Sequence, residues 1–593
     1  MSVLLLATLV SSAFACGGFF CFLQQPVLQT GEHILFSMKN GEVTSTIQIA
    51  YQGAAEDFSW VLPIPNTPTG FDVASDSVFR ALHQFTDPTF VVNFNTTCDL
   101  PVCQPPSDFA VPRSASVNNN GEKVQVLLQG DVGPFTFIVI QAKEGDNNGE
   151  ALFDWLVENK FQIPESAMPI VTRYVKLNYR FVTLKLQKGK AAGELVPIVI
   201  KYPAPSKVDM SCVPLRLTAI AATEMPIFVW VAADARAVVQ NFLSLTPNLR
   251  RLPWNKCRQN NSGFRGRGGA FASSGACQVE YNDLLKKTAS HFNTNKWLTT
   301  EYAGTISPAL LDAIYNPVAL PFDKAALAAK TKPQEFLAAV RQALQPDLAT
   351  SPVFIELMRE FLPCALSGRC LDNESFNAKA AAEAIENRLV APTRRVREEL
   401  SKFTYLTRFY GVFDPIAMVR DPIFRVVDGL GDVSNQHSVT MTFSCDQPKF
   451  DVTIKHDDGF SEVISGVEVV SDNCGKQLKF PGEGDPISVL PDDPIQAIEV
   501  LQADAAGKLV RKGVTRDTLA SVDSELAKLD GEIMGAPTDA NICNLGGNGC
   551  GCIAGSCGKG LKCELSKCRI SDSASALALS TASAIVLVAA LFA

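Results

Sequence analysis

The sequence predicts an α+β fold, with a β-rich N-terminal domain, a helical middle segment, a second β-rich segment and a small disulfide-rich module. Three observations lead there. Short runs of alternating apolar and polar residues recur between residues 32 and 231 and again between 439 and 510, the period of half-buried strands. Residues 308–403 turn instead to Ala, Leu, Glu and Lys at helical spacing. Six cysteines then crowd residues 541–568, where there is almost no apolar side chain to bury. Mixed short strands with occasional helices indicate α+β.

Taken in order, His33-Ile-Leu-Phe-Ser-Met and Val43-Thr-Ser-Thr-Ile-Gln-Ile-Ala-Tyr alternate on either side of Lys39-Asn40-Gly41, a hairpin turn signal. Phe58-Ser-Trp-Val-Leu-Pro-Ile-Pro is a third strand, and its prolines place it at an edge or a strand end. Residues 77–85 form a short amphipathic helix, and Phe90-Val-Val-Asn-Phe the next strand. Val124-Gln-Val-Leu-Leu-Gln and Phe135-Thr-Phe-Ile-Val-Ile make a second hairpin, followed by a helix at 151–157. Residues 174–188, 195–202, 215–221 and 227–231 return to strands. Helices are expected at 308–315, 323–330, 333–344 and 378–403. Val439-Thr-Met-Thr-Phe and Phe450-Asp-Val-Thr-Ile-Lys are the clearest later strands. No internal repeat of fixed period occurs. The organisation expected is 16–305 β-rich, 306–425 helical, 426–535 β-rich and 541–568 Cys-rich, between a signal peptide at 1–15 and a tail at 571–593.

A chain of 593 residues that is 47% hydrophobic and 19% charged can bury several cores and is not a disordered protein. Its net charge of −8 argues against nucleic acid as a partner, since phosphate contacts need a basic face. Seventeen cysteines in an exported chain read as disulfides, and the odd count leaves at least one outside an internal pair.

Export is read from the first residues. Met1-Ser-Val-Leu-Leu-Leu-Ala-Thr-Leu-Val is a short apolar core, and Ala13 and Ala15 supply the spacing of a cleavage site. The mature protein is then expected to begin at Cys16. A bacterial lipoprotein signal would prefer Leu where Ala13 stands. Residues 573–593 hold no charged side chain. A membrane-spanning helix needs about twenty apolar residues, and Ser575, Ser580, Thr581 and Ser583 dilute this run. A glycosylphosphatidylinositol (GPI) signal fits better, with small residues around Ser571 or Ser573, a spacer and an apolar stop. A core helix is the third reading. The expected partner is a membrane, reached through a C-terminal anchor, and the expected place is the extracellular face of the plasma membrane, with a bacterial cell envelope as the alternative. Asn95, Asn260 and Asn373 begin N-x-S/T triplets, candidate N-glycosylation sites.

Several stretches follow one another in a telling order: Ala15-Cys-Gly-Gly-Phe-Phe-Cys21, Ile49-Ala-Tyr-Gln-Gly, Asp57-Phe-Ser-Trp-Val-Leu-Pro-Ile-Pro, Pro214-Leu-Arg-Leu-Thr-Ala-Ile-Ala-Ala, Met225-Pro-Ile-Phe-Val-Trp-Val, and Tyr405-Leu-Thr-Arg-Phe-Tyr continuing through Pro415-Ile-Ala-Met-Val-Arg-Asp-Pro-Ile-Phe424. Over roughly residues 16–424 the chain resembles the bacterial-type secreted domain of unknown function 2330. The family carries no assigned activity, so the resemblance implies no catalytic residue. Gly549-Cys-Gly-Cys552 is faintly similar to a bacterial envelope-sorting signal, but the Arg-rich end of such signals is missing, which favours a eukaryotic surface.

Motifs of chemistry are scarce. His33, His83, His291, His437 and His456 show no helical metal spacing and no H-E-x-x-H, so structural or exposed roles are expected for them. There is no G-x-S-x-G elbow. Gly263-Phe-Arg-Gly-Arg-Gly-Gly269 lacks the Lys-Ser/Thr of a P-loop. No catalytic residue, metal or cofactor is assigned. Arg250, Arg251, Lys256, Arg258, Arg265 and Arg267 cluster where no Asp or Glu stands between 249 and 278. Guanidinium forks and nearby glycines suit sulfate, phosphate or carboxylate groups, so an anionic glycan or a surface protein is the candidate partner, against the plainer reading of a solvated loop. Asp457-Asp458 and Asp492-Asp493 are better explained as turns beside Gly459 and Pro494 than as calcium ligands, and Asp414-Pro415 and Asp421-Pro422 likewise start turns.

Proximity in sequence suggests bridges Cys16–Cys21, Cys98–Cys103, Cys257–Cys277, Cys364–Cys370 and Cys445–Cys474, with Cys212 left over. Cys543, Cys550, Cys552, Cys557, Cys563 and Cys568 form a separate knot whose connectivity stays open, with zinc as the competing reading. The expectation is an exported, membrane-anchored surface protein that binds or serves as envelope structure. The alternative is an extracellular hydrolase acting on surface polymers.

Overall fold

The computed structural model describes residues 19–20, 28–52, 59–96, 124–143, 148–186, 196–480, 498–534 and 561–570, apart from stretches inside these ranges, of which 258–275 is the longest. The α+β class expected from the sequence is the one that forms. At Asn40 and Gly41 the backbone takes φ of 54° and 74°, the left-handed pair that lets a two-residue turn match the twist of its strands. Strands Leu28–Lys39 and Glu42–Gln52 therefore pair antiparallel from Lys39↔Glu42 outward.

This hairpin belongs to a ten-stranded sheet. Its order is Leu509–Gly513, Ile498–Ala503, Leu243–Leu245, Trp297–Thr305, Tyr405–Phe413, Met225–Ala233, Leu28–Lys39, Glu42–Gln52, Ile198–Pro203 and Gly70–Val73. Met225–Ala233 runs parallel to Leu28–Lys39, and Leu243–Leu245 parallel to Trp297–Thr305; the other neighbours are antiparallel. Tyr405–Phe413 thus lies in the middle of a sheet begun at residue 28, and 498–513 widen it. The expected boundaries at 305 and 425 mark changes of composition, and the sheet runs across both.

Successive side chains of a strand point to opposite faces, so Ile34, Phe36 and Met38 enter one core and Leu35 another. The first core is closed by a five-stranded sheet of Phe19–Phe20, Ser59–Ile64, Arg180–Leu186, Phe135–Gln141 and Gln125–Val132. Helices Asn148–Glu158 and Met168–Lys176 cover its outer side. The second core packs helix Ser77–Thr86 and the helices of 308–400 against the other face of the large sheet. A third core joins helices Ala276–His291 and Leu519–Met534 to a second five-stranded sheet of Gly475–Lys479, Ser461–Asp472, Lys449–His456, Gln436–Phe443 and Thr89–Thr96.

Three expectations change. Residues 174–176 are helical, because Pro169 opens the helix Met168–Lys176 and Ile170, Val171 and Tyr174 share its buried side; the strand begins at Arg180. Residues 215–217 form a turn held by Asp421 rather than a strand. The single helix expected over 378–403 is two α segments, Ala378–Ile385 and Ala391–Leu400, joined by a π turn at Glu386–Val390. Pro392, which has no N–H to offer the preceding turn, explains the wider loop of backbone there. Helices Ala276–His291, Pro352–Phe361 and Leu519–Met534 add to the expected set, and Ser351 caps the second by accepting from the Phe354 N–H.

Two expected bridges form, Cys257–Cys277 and Cys364–Cys370. Cys563 and Cys568 stand opposite each other in the hairpin Leu561–Glu564/Lys567–Ile570. Cys16, Cys21, Cys98, Cys103, Cys445, Cys474, Cys543, Cys550, Cys552 and Cys557 lie outside the described residues. Among the described residues no helix is long and apolar enough to cross a membrane.

Candidate functional site

Ionisable side chains gather at one place, where the second and third cores meet on the large sheet. Arg408, in the middle of Tyr405–Phe413, stands opposite Trp230 on one side. On the other side the pairing slips between Thr300 and Tyr302, which leaves Glu301 as the extra residue. A bulge re-aims a side chain, and here it brings the Glu301 carboxylate to 2.8 Å from Arg408 Nη1. Arg408 Nη2 lies 2.8 Å from Asp87 Oδ1, and Nη1 donates to the Thr86 carbonyl at 2.9 Å. The guanidinium sits over the rings of Phe228 and Trp230, 5.4 and 5.6 Å from their centres. A planar fork serves several acceptors and stacks on rings at once, which an ammonium cannot do.

Asp87 follows the last turn of helix Ser77–Thr86, and its backbone N–H donates to the His83 carbonyl. The four-residue spacing brings its carboxylate to 2.7 Å from His83 Nδ1. The His83 ring stands edge-on to Trp230, Phe228 and His33, at 4.9, 5.0 and 5.2 Å between centres. His33 lies flat on Phe228 at 5.1 Å. Trp230 Nε1 donates to Thr86 Oγ1 at 2.9 Å, and that hydroxyl donates on to the Leu82 carbonyl. Tyr281, from helix Ala276–His291, reaches Glu301 from the other side.

Burial sets the charge states. It holds His33 well below the ordinary imidazole range, with the positive charges of His83 and Arg408 acting the same way. Burial also lowers His83, against the pull of Asp87. Glu301 is pushed up to about 7 by burial, against Arg408. Glu32 shares a strand with His33 but points to the opposite core, where burial pushes its carboxyl up to about 8. The arrangement can fasten a helix, a strand and a sheet to one cation, and it includes one carboxyl, Glu301, raised to about 7. Among the described residues no group of three His, Cys, Asp or Glu side chains is placed to hold a metal.

A second buried hub is structural. Asp421, fully buried, accepts from the N–H groups of Leu215 and Arg216 at 2.9 and 3.2 Å, from Tyr174 Oη at 2.8 Å and from Arg216 Nη1 at 3.2 Å. Asn241 brackets the same turn, donating to the Asp421 carbonyl and accepting from the Ile423 N–H. Asp414, by contrast, caps a turn as the sequence suggests, accepting from the Ala417 N–H at 2.7 Å.

Of the arginine cluster, Arg250 is engaged with Asp458, at 2.9 Å from Nε and 2.8 Å from Nη2, and stacks on Phe460 at 4.2 Å. The Asp457-Asp458 turn is thus where the start of that segment is pinned. Arg251 ends a short turn at Leu249–Arg251, while Lys256, Arg258, Arg265 and Arg267 lie outside the described residues. Asn95 is exposed on the edge strand Thr89–Thr96; Asn260, Asn373, Ser571 and Ser573 lie outside the described residues. Sequence reading missed the charge cluster because its members are scattered from residue 33 to 408. Phe228, Trp230, Arg408 and Tyr410 do fall in stretches that carry the family resemblance.

A family model described as an uncharacterized protein conserved in bacteria, DUF2330, matches residues 10–309, just over half of the chain. The resembling stretch at 405–424 lies beyond the matched residues. No curated protein and no solved structure matches the chain.

Proposed function

The chain belongs to this family of uncharacterized proteins conserved in bacteria, and we propose from that premise that it is an exported protein of the cell envelope, held at a membrane and acting by binding or as structure. The observation that carries the reading is its disulfide bonding. Cys257–Cys277 and Cys364–Cys370 are bonds of a kind that persists where thiols are not kept reduced. The bacterial distribution of the family supports the envelope reading of the tail over the GPI reading. Anionic glycans are the ligand class suggested by the composition of residues 250–267, a segment whose start is fixed by the Arg250–Asp458 pair.

The test is fractionation of cells producing the full chain, combined with a membrane-impermeant amine label. Recovery in the membrane fraction, labelled from outside and released by detergent, is the expected result. A soluble, unlabelled protein in the cytosol would overturn the proposal. Release by phosphatidylinositol-specific phospholipase C would instead assign the anchor to the GPI class.

A further inference from the structure

Helix Ser77–Thr86 and the strand Thr89–Thr96 that follows it are fastened to the large sheet at their junction. His83 and Asp87 straddle that junction, and Arg408 reaches across to the Asp87 carboxylate and the Thr86 carbonyl. His33, from the sheet side, faces His83 ring to ring at 5.2 Å. Two imidazoles and a fixed cation therefore share one buried cluster. We propose that this cluster is an acid-sensitive latch: protons taken up by His33 and His83 put further positive charge beside Arg408, and Ser77–Thr86 with Thr89–Thr96 loosens from the large sheet.

The groups that face the two rings decide the sign. Asp87, paired with both His83 and Arg408, favours a charged His83. Arg408 opposes charge on either ring. Glu301, on the far side of Arg408, is neutralised as pH falls through about 7, and since its folded value is raised it favours the closed form in acid. Tyr281 and Tyr410 are raised by burial and stay neutral. His437, on the strand beside Thr89–Thr96 and stacked on Phe90, is also lowered by burial, against Asp457, so it acts in the same direction as the two imidazoles. Both imidazoles are depressed in the closed form, so their contribution is fully present above the ordinary value of 6.5 and is lost as pH falls below it. Two imidazoles against one carboxyl leave a net uptake of up to one proton on opening as pH falls below 6.5. The opening constant should then rise by up to about tenfold per pH unit below 6.5. Thr89–Thr96 is the edge strand of the second five-stranded sheet, paired on one side to Gln436–Phe443, so its release leaves the other four strands of that sheet paired.

Hydrogen exchange of the full chain at pH about 7 and about 5, corrected for intrinsic rates, tests the latch. Amides of residues 77–96 should exchange about tenfold or more faster at the lower pH, while those of 28–52 and 225–233 change little. In His33→Phe, which keeps the stack on Phe228 without a titrating ring, the acceleration should shrink by about tenfold or disappear. Uniform acceleration along the chain, no acceleration, or an unchanged response in His33→Phe would overturn the proposal. If that variant does not fold, the wild-type comparison and His83→Gln decide by the same criteria.

Discussion

Glu32 and His33 are neighbours in sequence, face opposite cores, and are both held away from their ordinary charge states by burial. The Glu32 carboxyl, pushed up to about 8, adds stability that is fully present below its ordinary value of 4.5 and is lost as pH rises through 8. Glu32→Gln, which copies the neutral shape, should therefore match wild type near pH 4 and exceed it above pH 8 by on the order of a few kcal/mol. Melting temperatures across that range check this, and parallel curves would contradict it. Arg408 poses the opposite case. Arg408→Met leaves the Asp87 and Glu301 carboxylates without their cation, and should cost about 3–5 kcal/mol in denaturant unfolding at neutral pH. Adding Asp87→Asn and Glu301→Gln should recover much of that loss, because the penalty lies in uncompensated charge rather than in lost volume.

At the scale of elements, the turn at Asp421 and the two bridges hold segments that are distant in sequence. Asp421→Asn keeps the shape but turns an NH2 toward groups that are all donors, Tyr174, Leu215 and Arg216; a loss of about 2–4 kcal/mol is expected. The same change at Asp414, which caps an Ala417 turn, should cost about 1 kcal/mol or less. Replacing Cys257 and Cys277 with serine frees a chain separation of 20 residues and should lower stability by about 3 kcal/mol. Equilibrium unfolding of each variant measures these. What the sequence shows at this scale is what local pattern controls. The Asn40-Gly41 hairpin, the alternating strands and both described bridges are readable because turn chemistry, side-chain period and short spacing are local. The helix at 168–176 is harder to see, since Ile170, Val171 and Tyr174 are β-formers that Pro169 and packing turn helical. Arg408, Glu301, Asp87, His83 and His33 are unreadable as a group, because a bulge and three separate sheet pairings bring them together.

At the scale of the whole molecule, three cores share one sheet, and buried ionisable groups lie on both faces of it. As pH rises above 4.5, through about 7 and about 8, the raised carboxyls of Glu301 and Glu32 make stability fall; as pH drops below 6.5 the depressed imidazoles of His33 and His83 make it fall. Between 4.5 and 6.5 the two pairs oppose each other, so these four groups predict that global stability changes less with pH there than above 6.5. A pH series of unfolding midpoints checks it, and a single sharp optimum near pH 8 would contradict it. The proposed place of the molecule is tied to its oxidation state rather than to its charges. The most direct measurement is therefore alkylation of free thiols in intact cells that produce the full chain, followed by mass mapping without reduction. Cys257 with Cys277 and Cys364 with Cys370 should be recovered as linked peptides. Recovery of these four cysteines alkylated, in protein already folded, would contradict an exported envelope protein.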